Sequence, residues 1–241
     1  MPIILPQARL GVILSSGNWP VETYFRAYAP PTLGIHVSRM RMGSGGERAP
    51  ADMEQDALNA AALVADVGAD LIDLQATGIV MERGPAGEAE LVTAVTRVTG
   101  IPTYTASQAV VEALRVLGIQ RLVLIGPYGG APIGRESAYL EASGFDVIDA
   151  AGLVQGARSA AIPPQDWVLA ATSRDHHDVD GIFLSGSNSR MLEAIVPIEQ
   201  ALGKPVITSI QAALWAATRR LAAKIGDFRP SSELGKLFAT L

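Results

Sequence analysis

Pro102-Thr103-Tyr104-Thr105-Ala106-Ser107-Gln108-Ala109 is answered further along the chain by Pro205-Val206-Ile207-Thr208-Ser209-Ile210-Gln211-Ala212, so Pro-x-x-Thr-x-x-Gln-Ala occurs twice. Outward from this pair the correspondence continues. The apolar run Arg9-Leu10-Gly11-Val12-Ile13-Leu14 before Ser15-Ser16-Gly17 is matched by Arg121-Leu122-Val123-Leu124-Ile125 before Gly126-Pro127-Tyr128-Gly129. Ala69-Asp70-Leu71-Ile72-Asp73-Leu74, running into Ala76-Thr77-Gly78, is matched by Val179-Asp180-Gly181-Ile182-Phe183-Leu184, running into Ser185-Gly186-Ser187-Asn188. Each run is short and largely apolar and stops at small, hydroxyl-bearing residues, as a buried parallel strand does on meeting a helix N-terminus. The fold class is therefore α/β: two similar halves, each a mostly parallel four-stranded sheet flanked by helices. Polar loops at the strand ends place a small-ligand site between the halves.

A chain of 241 residues accommodates two such units of about 120 residues each. The expected division is 1–105 for the first half, 106–225 for the second and 226–241 for a C-terminal tail, with the helix at 210–225 a candidate to pack back on the first half. Apolar residues make up 49% and aromatics only 5%, a composition suited to helices on a parallel sheet. It is apolar enough that a homo-oligomer covering part of the surface is expected. The net charge of −5, without a stripe of Lys and Arg, argues against nucleic acid and leaves room for a small anion. No run approaches the ~18 apolar residues of a membrane span, and Met1 to Pro6 lacks a basic leader, so a cytoplasmic protein with no membrane partner is expected.

There are no cysteines, which excludes disulfides, thiolate metal sites and thiol nucleophiles. His36 falls in a strand pattern and His176 and His177 are adjacent, so no helix presents a ligating pair and no metal is expected. Met40 to Pro50, with Gly43, Gly45 and Gly46, reads as a loop and a candidate flap. A helix begins near Asp52. Gly84-Pro85-Ala86-Gly87 reads as a loop before a helix from Glu88, and Gly152 to Pro164 is a connection without an assignable element.

Three loops offer chemistry. Ser15 to Asn18, Ala76 to Gly78 and Ser185 to Asn188 present hydroxyls and backbone N–H groups ahead of helices, which is equally the pattern of an anion cradle and of ordinary capping. Their recurrence at matching strand ends favours a site.

Ser15 to Glu22, Ser185 to Glu193 and Thr208 to Trp215, with Thr105-Ala106-Ser107 before Val111 to Gly118, resemble the signatures of the maleate isomerase and arylmalonate decarboxylase branch of the aspartate/glutamate racemase superfamily. That resemblance implies two Rossmann-like halves related by a pseudo-twofold axis, with a cofactor-free site between them for a small carboxylate or dicarboxylate. It also implies one cysteine from each half facing the substrate. Here Ala76 and Gly186 stand in those places, while Thr77, Ser187 and Asn188 are kept. Thr77, Tyr128 and Ser187 then resemble the catalytic group that holds a carboxylate as an enediolate, with Ser15, Asn18, Ala76, Gly78, Gly186 and Asn188 around the substrate.

A decarboxylase needs donors for the developing enediolate and an apolar wall, for which Leu14, Ile79, Val80 and Met81 are candidates. A racemase needs two opposed proton carriers, and the isomerase needs a thiolate. The leading reading is a cofactor-independent lyase acting on a small activated carboxylate. The alternatives are an isomerase with a non-cysteine catalyst and a catalytically silent carboxylate-binding protein. The proton donor is the gap: Tyr128, Tyr104 and Glu82 are candidates, against readings as a substrate hydrogen-bond donor, a strand-core residue and a surface partner of Arg83. Arg190 reads as structural and His36 as a packed strand residue.

Overall fold

The computed structural model describes residues 4–41, 50–154, 159–174 and 177–241. Strands β1 (Ala8–Ser15), β2 (Leu33–Met40), β3 (Leu71–Gln75) and β4 (Thr103–Thr105) form a fully parallel sheet in the order β2-β1-β3-β4. Strands β5 (Arg121–Tyr128), β6 (Asp146–Val154), β7 (Gly181–Leu184) and β8 (Val206–Thr208) form a second in the order β6-β5-β7-β8. The two orders are the same order, so the sequence repeat is a repeat of topology. In each sheet the chain reverses its direction of travel between the first and third strands, β1/β3 and β5/β7, and such a switch point opens a crevice at the carboxyl ends.

The helices are α1 (Pro20–Tyr28), α2 (Pro50–Ala65), α3 (Thr77–Glu82), α4 (Gly84–Thr99), α5 (Ala106–Val116), α6 (Ala131–Ala142), α7 (Pro164–Thr172), α8 (Leu192–Leu202), α9 (Ser209–Arg220), α10 (Ala222–Ile225) and α11 (Gly235–Phe238). Strand β1 shows why both faces of a sheet must be covered. Leu10, Val12 and Leu14 enter the main core while Ile13 enters a second cluster with Ala57, Ala61 and Val64 of α2, and all four strand side chains are fully buried.

The twice-written motif has a physical role at both places. Thr105 and Thr208 each end a strand and N-cap a helix, α5 and α9, accepting from the N–H of Gln108 and Gln211 at 3.0 Å. The glutamine Oε1 accepts in return from the threonine N–H, at 3.3 Å and 3.0 Å, which closes a capping box. The carbonyls of Pro102 and Pro205 accept from Ile72 and Ile182 of the neighbouring strands. Helices α5 and α9 pack together, and their buried alanines, Ala106, Ala109 and Ala113 with Ala212, Ala213 and Ala216, allow close approach.

Several expectations change. Gly84 to Gly87 is the first turn of α4 and not a loop, because Pro85 sits where a helix needs no N–H. Strand β6 runs on through Gly152 to Val154, and a 3-10 turn at Ser159–Ala161 occupies part of the unassigned connection. The tail at 226–241 carries a 3-10 turn at Ser232–Leu234 and then α11, and its Leu234, Leu237 and Phe238 are buried beside α8, α9 and β8. The expected flap at Met40 to Pro50 lies, for residues 42–49, outside the described residues. Among the described residues no helix is long and apolar enough to cross a membrane.

Candidate active site

The carboxyl ends of β1, β3, β5 and β7 open on one cleft of about 680 Å³ between the two sheets. Ser15, Ala76, Thr77, Gly78, Tyr128, Gly186, Ser187 and Asn188 all line it, and Ala76 and Gly186 contribute from opposite halves. Thr77 and Gly78 are the first residues of α3, whose N–H groups have no partner within the helix. Tyr128, at the end of β5, lines the cleft and is 41% exposed.

Thr77 Oγ1 and Asn188 Oδ1, on residues that line the cleft, are buried without a hydrogen-bond partner. Buried polar atoms in a settled interior are nearly always paired. Unbonded polar atoms on the wall of a cleft are the pattern that a polar-ligand site leaves.

Asn18 does not line the cleft. It is fully buried, its Nδ2 donates to the Ser187 carbonyl at 3.0 Å, and its Oδ1 accepts from Val21 N–H at 3.3 Å. It therefore ties the first loop to the loop carrying Ser187. Arg39 of β2, unnoticed in the sequence, steadies the same loop by donating to the Asn18 carbonyl at 2.6 Å and pairing with Glu22 at 2.8 Å.

Gly186 is also more committed than a bare loop glycine. Its N–H donates to Ser209 Oγ at 3.1 Å, so it is engaged within the protein. Its φ is +115°, and a Cβ there would lie 3.1 Å from both Pro127 Cδ and Cγ. On this backbone a side chain at 186 is strained before any ligand arrives.

The expected apolar wall is mostly core. Leu14, Val80 and Met81 are buried away from the cleft, and Ile79, with Pro127 and Pro132, faces it. Of the proton-donor candidates, Tyr104 is fully buried and donates to the Ala213 carbonyl at 2.8 Å. Glu82 pairs across the cleft with Arg135 of α6 at 3.0 Å rather than with Arg83, which pairs with Glu54 at 2.8 Å. Arg190 lies 3.9 Å from Glu193, one turn along, and His36 sits in β2 outside the cleft lining.

The residue the sequence reading missed is Glu136. It is only 7% exposed, lines the cleft from α6, and its Oε2 has no partner. Burial raises its pKa to about 7, with the Ser185 hydroxyl and the Arg135 guanidinium pulling the other way. A signal was present: Ile133, Glu136, Tyr139 and Leu140 share the buried stripe of α6, so an acid interrupts an apolar face. Glu88 of α4 is buried too, but Thr105 and Tyr139 both donate to it, which makes it part of the packing between the halves.

Two like-ordered α/β sheets with hydroxyl-bearing loops around one shared cleft define the two-half architecture of the maleate isomerase and arylmalonate decarboxylase branch. The chain belongs to the arylmalonate decarboxylase family, whose model matches residues 45–238. It is 34% identical over 176 residues to the arylmalonate decarboxylase of Bordetella bronchiseptica, a match covering 71% of this chain and 72% of that one. The structure resembles a cysteine-to-alanine variant of the maleate isomerase Iso from Pseudomonas putida S16 with maleate, with a TM-score of 0.86, 26% identity, and 96% and 97% of the two chains covered. It also resembles a cysteine-to-serine variant of the Nocardia farcinica maleate cis-trans isomerase carrying a covalently bound succinylcysteine intermediate, with a TM-score of 0.81, 27% identity, and coverages of 89% and 92%.

Proposed function

We propose that the chain is a cofactor-independent decarboxylase that acts on a small activated carboxylate through an enediolate. Membership of a family whose relatives are decarboxylases and isomerases supports an enzyme of one of these two kinds. The observation that carries the finer reading is the set of hydroxyls from both halves, Thr77, Tyr128 and Ser187, around a cleft in a chain without cysteine. The Nocardia isomerase holds a succinylcysteine intermediate, and that covalent route has no counterpart in a thiol-free protein.

In this reading one carboxylate of the substrate rests on Thr77, Tyr128 and Ser187. The carboxylate to be lost lies against Ile79 and the two prolines, Pro127 and Pro132, where solvation is poor. The C–C bond breaks, its electron pair passes into the retained carboxylate as an enediolate, and the preorganised donors stabilise the added charge. Carbon dioxide release from a 2-aryl-2-methylmalonate, insensitive to iodoacetamide, is the test. Thr77→Val is expected to lower turnover roughly a hundredfold, as loss of one oxyanion donor does. A wild-type protein that binds the acid without releasing carbon dioxide would instead be a carboxylate-binding protein.

A further inference from the structure

The enediolate formed in the cleft needs a proton at its α carbon, and the groups that could deliver one are few. There is no thiol. Among the described residues that line the cleft there is no histidine. Arg135 is occupied with Glu82, and Tyr128 belongs to the donor set. Glu136 remains. Its carboxyl lies where the two halves meet: a methyl group placed on Gly78 of α3 would come within 3.2 Å of Oε1, and one placed on Gly126 of β5 within 3.7 Å of Oε2. Gly78 leaves room for this carboxyl from the first half, while Gly126 of the second half lies in ordinary contact distance of it and is kept bare by Ile133, 2.6 Å from such a methyl group. Oε2 is left unbonded, and Thr77, whose buried Oγ1 is unbonded too, lines the same cleft.

We propose that Glu136, as the carboxylic acid, delivers the proton to the α carbon of the bound enediolate. The assignment rests on the decarboxylase reading above. The step balances: the substrate dianion loses neutral carbon dioxide, the electron pair of the broken C–C bond forms the enediolate, and the Glu136 proton forms the new Cα–H bond. Glu136, left as the carboxylate, regains its proton from water, so each turnover consumes one proton. A single carrier held at one wall protonates one face, and the monoacid product is a single enantiomer.

The charged groups on the elements packed against Glu136 are engaged with one another. Arg135 is on its own helix, Glu82 on α3 is held by Arg135, and Tyr128 ends β5. Glu88 on α4 is held by Thr105 and Tyr139, and Asp149 on β6 pairs with Arg174 at 2.7 Å. Ser185, just past β7, offers its hydroxyl to the Glu136 carboxyl, and among the described residues Glu136 is thus the buried acid that lines the cleft with one oxygen, Oε2, left unbonded.

The experiment has two arms on the full-length protein and its Glu136→Gln and Glu136→Asp variants. Calorimetric titration with phenylacetate between pH 5.5 and 8.5 needs no turnover. The wild type is expected to lose at least about tenfold in affinity across neutrality, as an anion meets a newly ionised neighbour, while Glu136→Gln binds with a flat profile. In decarboxylation of 2-phenyl-2-methylmalonate, Glu136→Gln is expected to lower kcat at least about a hundredfold with KM within about threefold. Glu136→Asp should recover part of kcat, and wild-type turnover in deuterium oxide should give one deuterated enantiomer. Wild-type turnover that Glu136→Gln leaves intact, a flat wild-type binding profile, or a racemic product overturns the assignment of Glu136 alone. A wild type with pH-linked binding that decarboxylates nothing overturns the decarboxylase reading, and proton delivery falls with it.

Discussion

Replacing Asn18 by alanine tests how the site is held together. The side chain is fully buried and bonds a backbone group at each end: the Ser187 carbonyl in the second half and the Val21 N–H in the first. Alanine leaves both groups without partners in a region water does not reach, at roughly 1–3 kcal/mol for each orphan. The expected loss is about 2–6 kcal/mol, which for a chain of this length lowers Tm by roughly 4–24 °C. Asn18→Asp keeps the acceptor but turns the donor into an oxygen facing a carbonyl, and should be no better tolerated. Gly17→Ala is the control, since its added methyl group meets nothing within 4 Å. Thermal unfolding by circular dichroism, with KM for a malonate in parallel, measures both stability and the placement of Ser187. An Asn18→Ala protein melting within about 1 °C of the wild type would refute the cross-link as a stabilising element.

Gly186→Cys places a side chain at φ +115° against Pro127. It is expected to cost roughly 1–3 kcal/mol, seen as a lower urea midpoint, and not to restore thiol-dependent turnover. A stable, iodoacetamide-sensitive decarboxylase from this single change would show that the loop rearranges freely. Stability should also depend on pH through Glu136, whose folded pKa of about 7 lies above the ordinary 4.5. The fold favours the acid form, so its stabilising contribution is full below about 4.5 and is lost as pH rises through about 7. The shift amounts to about 3 kcal/mol. Asp73, buried in β3 and raised to about 7, acts in the same direction. Urea unfolding at pH 5 and pH 8 should show the difference, reduced in Glu136→Gln; equal pH dependence in the two proteins would remove Glu136 as its source.

The architecture was legible because its signals are local and repeated. A parallel strand buried on both faces must be apolar throughout, and Thr with Gln three residues on is a complete helix-start signal that needs no distant partner. The family's loops were legible for the same reason, and eight of the nine site residues read from them line the cleft, Asn18 being the exception. What the sequence concealed depends on which way a side chain turns once the halves meet. Leu14, Val80 and Met81 are as apolar as Ile79, but helical and strand geometry directs only Ile79 to the cleft. Asn18 looks like a ligand-binding amide until its partner across the chain, Ser187, is known. Glu136 lies on an α6 that exposes Arg135 and Glu141, and although it interrupts that helix's apolar stripe, its burial follows from packing against α3.

The most direct test of the account is a crystal structure of the wild-type protein with phenylacetate at pH 6. The account predicts the carboxylate within hydrogen-bond reach of Thr77 Oγ1, the Tyr128 hydroxyl and Ser187, with the benzylic carbon facing Glu136. A carboxylate bound elsewhere on the protein, with the Thr77 hydroxyl satisfied by a protein group and the Glu136 carboxyl turned away from the cleft, would contradict it.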